Sequence, residues 1–121
     1  MAELDVNYPD VQREIGVILR EMAEEDHRKQ YYRLAVNAFN KQISRVETQY
    51  DLIERGRLYM ELGMFEEAKK DIRRTMKLNP DNIYAYNAMG DIFRYKRMYE
   101  EAIRWYQEGL QHVKDDNTPA L

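Results

Sequence analysis

Few side chains in this 121-residue sequence have the types and spacing that catalysis requires. The chain contains one serine, Ser44, no cysteine, and two histidines that lie far apart, His27 and His112. It also lacks a glycine-rich loop of the kind that cradles a phosphate. Nucleophilic triads and nucleotide sites have no candidates here, so the sequence predicts that the protein is not an enzyme.

Two glutamate–histidine pairs have the spacing of metal ligands on a helix. Glu24 and His27 are three residues apart, and Glu108 and His112 are one helical turn apart. A di-metal bundle needs two such motifs and two further carboxylates that converge on one core. We interpret these residues as solvated side chains and expect no metal and no cofactor. A metal-binding or catalytic bundle is the alternative, which metal analysis of the purified protein would test.

A basic stripe is formed by Lys69, Arg73 and Lys77, which are spaced at i, i+4 and i+8. Such a stripe can meet phosphates or an acidic partner. Here it is interleaved with Glu66 and Asp71 and carries no aromatic residues, and the formal net charge of the chain is −3. We therefore interpret it as a solvated outer face and predict no nucleic-acid partner.

The composition is that of a helical protein, since 34% of the residues are charged while glycine and proline are scarce. The absence of cysteine excludes disulfides and thiolate metal sites. The start of the sequence does not resemble a secretion signal, and no apolar run is long enough to span a bilayer. The expectation is one small domain, residues 1–121, without a membrane span and with a cytoplasmic location.

The region from Gln49 to Asp115 repeats itself with a step of 34 residues. Four of five spaced positions keep their size or chemistry across this step: Gly56 and Gly90, Tyr59 and Phe93, Ala68 and Ala102, Ile72 and Tyr106. The fifth, Pro80, becomes Lys114. Each unit reads as two amphipathic helices joined near a glycine such as Gly63, with small residues where the helices cross.

This period, with its small, aromatic and closing-proline positions, resembles the tetratricopeptide repeat. The resemblance implies an all-α fold, a right-handed superhelix of three antiparallel helical hairpins. The expected units are repeats at 48–81 and 82–115, a tail at 116–121, and an upstream hairpin at 9–47.

The upstream hairpin departs from the pattern. Its first helix is expected to begin at Pro9 and end near Asp26, and its second to begin at Tyr31 or Tyr32. The expected inward residues are Val11, Ile15, Ile18, Leu19, Met22 and Ala23, then Leu34, Ala35, Ala38, Phe39, Gln42, Ile43 and Val46. Its step to the next unit is 33 residues and no proline closes it. It is interpreted as a divergent repeat, with an unrelated capping hairpin as the alternative.

The resemblance also implies a function, because in tetratricopeptide proteins the first helix of each repeat lines a concave groove that binds a peptide or helix of a partner protein. The aligned groove positions are Tyr50, Ile53, Arg57, Met60, Glu61, Tyr84, Asn87, Asp91, Arg94 and Tyr95. The weaker register of the first hairpin adds Val17, Arg20, Glu24, His27 and Arg28. The expected role is therefore a protein-interaction module or scaffold. Alternatively, these residues pair with one another, as Arg57 and Glu61 would across one turn.

One subtype of the family holds the acidic C-termini of heat-shock chaperones with a carboxylate clamp of lysine, asparagine and arginine. The aligned positions here are occupied by Arg20, Glu24, Glu54, Tyr84 and Ala88. The clamp residues are absent, so the sequence disfavours a heat-shock co-chaperone role.

The last helix carries Trp105 at the position that Asp71 holds one repeat earlier. An exposed tryptophan is a poor solvating residue, so one hypothesis is a homodimer in which Trp105 and Tyr106 are buried between two copies, or a longer array that covers them. The local alternative is that Trp105 lies flat across its own hairpin.

Overall fold

The computed structural model describes residues 10–117, and the side chains of residues 10–113, as six helices. The helices are α1 (Val11–Asp26), α2 (Lys29–Arg45), α3 (Gln49–Glu61), α4 (Phe65–Leu78), α5 (Ile83–Tyr95) and α6 (Tyr99–Asn117). Consecutive helices pack as three hairpins, α1–α2, α3–α4 and α5–α6. Between residues 10 and 117 there is no strand, and the predicted all-α helical-repeat fold is confirmed.

The helix ends of the second and third hairpins follow from local residue types. The side chain of Thr48 accepts a hydrogen bond from the N–H of Asp51 at the start of α3, and Asn82 does the same for Tyr84 at the start of α5. After α3, Gly63 adopts a left-handed conformation with φ of 76°. One period later the same conformation is imposed on Arg97, with φ of 64°.

Small residues in the first helix of each hairpin receive large side chains from the second helix. A Cβ atom at Gly56 would lie 2.9 Å from Cδ1 of Ile72, and one at Gly90 would lie 2.5 Å from the ring of Tyr106. In the first hairpin Gly16 has the same relation to Phe39, at 2.6 Å. The close approach of the paired helices therefore depends on the missing side chain.

The core consists of two clusters of buried side chains. The larger one joins the second and third hairpins: Ile53, Met60, Ala68, Ile72, Ala85, Ala88, Met89 and Ile92. The smaller one joins the first and second hairpins: Ala35, Val36, Phe39 and Leu58. The stacking of hairpins therefore buries an apolar layer at each joint, as in solenoid proteins generally.

The first hairpin corrects several sequence predictions. On α1, Ile15, Ile18 and Met22 are exposed instead of inward. The same holds for Leu34 on α2 and for Val46, which follows the end of α2. The predicted inward residues Ala23, Ala35, Ala38, Phe39 and Gln42 are buried. Gly16 and Val36 are also buried, although the pattern of large apolar residues did not select them. The apolar side chains of α1 thus extend beyond the face that packs on α2.

Helix boundaries differ at both ends of the described chain. Asp10 precedes α1 in a left-handed conformation, and α2 begins at Lys29, two residues before the expected start. The last helix continues to Asn117, which includes the first residues of the expected tail. Pro9 and residues 118–121 lie outside the described residues.

Candidate partner-binding groove

The first helices of the three hairpins, α1, α3 and α5, are linked along the chain by arginine–carboxylate pairs. Arg13 of α1 makes two hydrogen bonds to the fully buried Asp51 of α3, at 2.6 and 2.7 Å. Arg20 of α1 forms an ion pair with Glu54 of α3. These pairs fix the spacing of the helices that the family resemblance assigned to the groove.

An apolar depression of about 480 Å³ lies between α3 and α5. It is lined by Gln49, Tyr50, Ile53, Glu54, Arg57, Asn82 and Tyr84. Tyr50 and Tyr84 are 49% and 64% exposed, although tyrosine residues in a fold are usually partly buried. Two accessible rings beside an apolar hollow give a surface suited to the side chain of a partner.

A polar link closes the end of this depression. The side-chain amide of Asn82 donates a hydrogen bond of 2.8 Å to Oε1 of Gln49, and that of Asn79 donates one of 3.3 Å to the same oxygen. On the α3 wall of the depression, the ring centroid of Tyr50 lies 5.7 Å from the guanidinium of Arg13. Both walls are therefore held in place by contacts between hairpins.

A charge network occupies the middle of the groove. Arg57 forms an ion pair of 2.7 Å with Asp91, one repeat later, and Arg94 approaches the same carboxylate at 3.4 Å. The hydroxyl of Tyr106 donates a short hydrogen bond to Asp91. Burial, together with this bond and the negative charge of Asp91, raises the pKa of Tyr106 to about 12. The network ties α3, α5 and α6 together.

Tyr106 is expected to titrate near pH 12, above the ordinary tyrosine value of 10.0. Because the fold favours the neutral phenol, this group's contribution to stability is complete below its ordinary pKa and is lost as the pH rises through about 12. The measurement is the ultraviolet titration difference between the wild type and Tyr106→Phe, since the chain has ten tyrosines. A difference spectrum with a midpoint near 10 would contradict the network.

Beside α1 the groove becomes acidic. A hollow of about 200 Å³ is lined by Arg20, Glu24, Tyr32, Glu54, Arg57, Leu58, Met60 and Glu61. Its two arginines are committed to Glu54 and Asp91, as described above. Burial, followed by the negative charge of Glu24, raises the pKa of Glu61. This part of the groove therefore carries more negative than positive charge.

The structure brings only some of the predicted groove residues to an accessible surface. Tyr50, Tyr84, Arg94 and Tyr95 are exposed, whereas Ile53 and Met60 are largely buried. Arg57 pairs with another groove residue, as the alternative interpretation expected. Its partner, however, is Asp91 and not Glu61. Asn87 lies near the backbone of Gly109, where a Cβ would be 3.8 Å from its Oδ1.

The residues added by the first hairpin have mixed environments. Val17 packs against the smaller core cluster, while Arg20 and Glu24 line the acidic hollow. His27 and Arg28 form the connection between α1 and α2, outside both helices. The sequence did not select Gln49 and Asn82, which line the depression at the starts of α3 and α5. Asparagine is a common helix cap, which is the role of Asn82 at the start of α5, but its bond to Gln49 depends on how the hairpins stack.

The two residues proposed for self-association are engaged within their own hairpin. Trp105 lies parallel to Phe93, with ring centroids 6.5 Å apart, and also contacts Tyr86 at 6.2 Å. Tyr106 lies over Gly90 and is bonded to Asp91. The geometry of Trp105 is that of the local alternative. The equivalent Asp71 is buried and bonded to Arg55, whereas Trp105 is partly buried against the larger core cluster.

The remaining candidates for chemistry have structural contacts. His112 pairs with Asp81 at 3.0 Å and stacks on Tyr86. Within residues 10–113 no group of three histidine, cysteine or acidic side chains has the arrangement of a metal site. In the basic stripe, Lys69 is not solvated as expected, because it pairs with Glu66 and its Nζ lies 5.8 Å from the ring centroid of Phe93. None of the described helices has the length and apolar character needed to cross a membrane.

Comparison with protein families gives matches over more than half of the chain. A model described as Tetratricopeptide repeat matches residues 50–82, and a second model with the same description matches residues 85–120. The first hairpin lies outside both matches, so its interpretation as a divergent repeat stays a prediction.

Curated relatives are matched over a small part of their length. Hsp70-Hsp90 organizing protein 2 of Arabidopsis thaliana is 29% identical over 108 residues, which are 88% of this chain and 19% of that protein. Hsp70-Hsp90 organizing protein 3 of the same plant is 30% identical over 94 residues, 77% of this chain and 17% of the relative. Hsp70-Hsp90 organizing protein of Triticum aestivum is 29% identical over 103 residues, which are 84% of this chain and 17% of that protein.

Among solved structures, the crystal structure of MamA superposes with a TM-score of 0.76. The superposition covers 96% of this chain and 64% of that chain, at 20% sequence identity. At this level of identity the similarity shows a common helical-repeat fold.

Proposed function

Because the chain belongs to the tetratricopeptide repeat family, we propose that it is a protein-interaction module that binds a peptide or helix of a partner protein in the groove formed by its first helices. The family and the relatives support an interaction scaffold in general. A cytoplasmic location and a role without catalysis are part of the proposal.

The depression between Tyr50 and Tyr84 is the observation that carries the proposal. It combines accessible aromatic rings, an apolar hollow and walls held by hydrogen bonds between hairpins. A preformed hollow of this kind binds an anchoring side chain without a large ordering cost. The ligand expected there is an extended or helical segment with an apolar or aromatic anchor residue.

The charges beside the depression favour a partner that is not strongly acidic. The groove arginines Arg20 and Arg57 are already paired with carboxylates, while Glu24 and Glu61 lie on the acidic side. The relatives are named as organizing proteins of Hsp70 and Hsp90. An acidic peptide bound in this groove would lie against these glutamates, so we do not propose an acidic ligand for this chain.

The proposal can be tested by capturing a partner from the native cell extract. Capture by the wild type is compared with capture by the single variants Tyr50→Ala and Tyr84→Ala and by the double variant. Each alanine substitution is expected to weaken binding of the captured partner by about 2 kcal/mol, because truncation of a hot-spot side chain weakens binding by this amount or more. Because Tyr50 is about half exposed and Tyr84 more than half exposed, the melting temperature should change little.

The matched control is Lys70→Ala with Lys77→Ala, which removes two exposed side chains from α4. This pair should leave capture unchanged. Retention of full affinity by the double tyrosine variant, in a protein with an unchanged melting temperature, would refute the groove as the binding site.

A further inference from the structure

The described chain begins beside the apolar depression between α3 and α5. The carboxylate of Asp10 accepts hydrogen bonds from the guanidinium of Arg13 at 2.7 Å and from the side-chain amide of Gln42 at 3.4 Å. The same guanidinium is bonded to Asp51 of α3 and lies 5.7 Å from the ring centroid of Tyr50. One arginine side chain therefore contacts both the start of the described chain and the α3 wall of the depression.

The first helices of the hairpins start at this same end of the stack. The pairs Arg13–Asp51 and Arg20–Glu54 advance together along α1 and α3, so these two helices are parallel. The depression includes the first residues of α3 and of α5. The chain that precedes α1 thus enters the molecule at the end where the depression lies.

Residues 1–9, which precede the described part of the chain and which we call the leading segment, have a pattern that suits such a depression. Leu4, Val6 and Tyr8 alternate with polar residues. In an extended chain alternate side chains share one face, so these three would lie together. A residue before a proline avoids the helical region, and Tyr8 precedes Pro9. The sequence therefore favours an extended segment with one apolar face.

The leading segment is long enough to cross the depression. An extended chain covers about 3.3 Å per residue, so Leu4 can lie up to about 20 Å from Asp10. Packed helices are about 8–10 Å apart, so this reach extends from the α3 wall to Tyr84 on the α5 wall. Attachment beside the site also gives the segment an effective concentration on the order of millimolar, so a modest intrinsic affinity is sufficient.

The acidic part of the groove does not oppose this placement. The leading segment carries Glu3 and Asp5. Glu24 and Glu61, which line the acidic hollow, lie near the ends of α1 and α3, whereas the depression lies at the helix starts. In an extended segment, Glu3 and Asp5 also lie on the face opposite the three apolar side chains. They would therefore point to solvent.

We propose that the leading segment occupies the depression between Tyr50 and Tyr84 when no partner is bound, with its three alternating apolar side chains in the hollow. The segment is then an intramolecular competitor, which a partner must displace in order to bind. The occupant comes from the same copy of the chain, because its attachment at Asp10 is held beside the site. The role as a competitor rests on the proposed function of the groove.

A fluorescently labelled synthetic peptide with the sequence of residues 1–9 tests the proposal, with anisotropy as the measure of binding. It is added to the full wild-type chain and to a variant with Leu4→Ser, Val6→Ser and Tyr8→Ser, which we call the open variant. The open variant should bind the peptide at least about tenfold more tightly than the wild type. The reason is that the tethered segment of the wild type competes with the peptide at an effective concentration on the order of millimolar.

The matched control carries Glu3→Ser, Asp5→Ser and Asn7→Ser, which change the same number of side chains on the other face of the segment. It should bind the peptide as weakly as the wild type. In the open variant, Tyr84→Ala should abolish peptide binding, whereas Ile18→Ser, on the exposed side of α1, should not. Tyr84 and Ile18 are both more than half exposed, so folding should be retained, as circular dichroism would verify.

Three results would overturn the proposal. Equal peptide binding by the wild type and the open variant, whether tight or absent, would show that the leading segment does not occupy the depression. Binding that survives Tyr84→Ala but is lost with Ile18→Ser would show that the segment binds to α1. A wild type that dimerises in sedimentation velocity, while the open variant stays monomeric, would show that the segment binds a second copy.

Partner capture separates this inference from the proposed function. If the leading segment is a competitor, the open variant should capture more partner than the wild type at equal concentration. Equal capture by these two proteins, with capture lost in the double variant Tyr50→Ala and Tyr84→Ala, would refute the inference and leave the proposed function intact. Peptide binding as expected, with capture unaffected by the tyrosine substitutions, would refute the proposed function alone.

Discussion

Replacement of Arg13 by methionine is expected to destabilise the protein by about 3–5 kcal/mol, because removal of one partner from a buried ion pair leaves an uncompensated charge. Asp51 has no exposed surface and receives two hydrogen bonds from the guanidinium. The hydroxyl of Thr48 would still donate a hydrogen bond to the Asp51 carboxylate, but no positive charge would replace the guanidinium. Methionine keeps much of the volume of the arginine stem, so the loss would come mainly from charge.

Chemical denaturation of Arg13→Met, of Asp51→Leu with Arg13→Met, and of Arg74→Met would test this prediction. The double replacement removes both charges and should restore much of the lost stability. Arg74 pairs with Glu47 on the surface, and its replacement should cost less than about 1 kcal/mol. If Arg13→Met and Arg74→Met had equal effects, the buried pair would not have the importance that its burial indicates.

Replacement of Gly90 by valine is expected to cost about 3 kcal/mol, the upper part of the usual range for overpacking. A Cβ at this position would lie 2.5 and 2.7 Å from two ring atoms of Tyr106, well inside van der Waals contact. The ring cannot move away freely, because its hydroxyl is bonded to Asp91. The hairpin α5–α6 would have to separate or lose this bond.

A double-mutant cycle with Tyr106→Leu would isolate the steric part of this effect. The valine should cost less in the presence of the smaller, unbonded leucine. Gln107→Val, on an exposed position of α6, measures the cost of a β-branched residue in a helix by itself. Additive effects of Gly90→Val and Tyr106→Leu would be inconsistent with direct contact between these two positions.

The sequence predicted the hairpins of the repeat region well because their signals are local. Gly63 ends α3 in the left-handed conformation, Asn82 caps α5, and Glu66 and Glu67 lie in the first turn of α4. Each signal depends on residues within one or two turns of the helix end. The 34-residue step then gave the order of the elements.

The contacts between hairpins were not predictable from such signals. Arg13 and Asp51 are 38 residues apart, and nothing in their immediate sequence distinguishes them from solvated charges. The same limit applies to α1, where apolar periodicity selected Ile15, Ile18 and Met22 as inward. Periodicity identifies an apolar side of a helix but does not say whether a neighbour covers it.

In the candidate groove, some residues were predicted from the sequence and some contacts were not. Resemblance to the family selected Tyr50 and Tyr84, which line the depression, from their position alone. It did not foresee that Asp91 would accept a bond from Tyr106, because that contact depends on the rotamer of a side chain on α6. The accessible part of the groove is therefore smaller than the set of aligned positions.

The two joints between hairpins differ in chemical composition, and this difference has a consequence for how the protein responds to cold. The first joint combines a small apolar cluster with the ion pairs Arg13–Asp51 and Arg20–Glu54, whereas the second buries the larger apolar cluster beside the ion pair Arg57–Asp91. Hydrophobic association weakens on cooling. Cooling is therefore expected to weaken the second joint more than the first, so that the third hairpin separates from the stack before the first hairpin does.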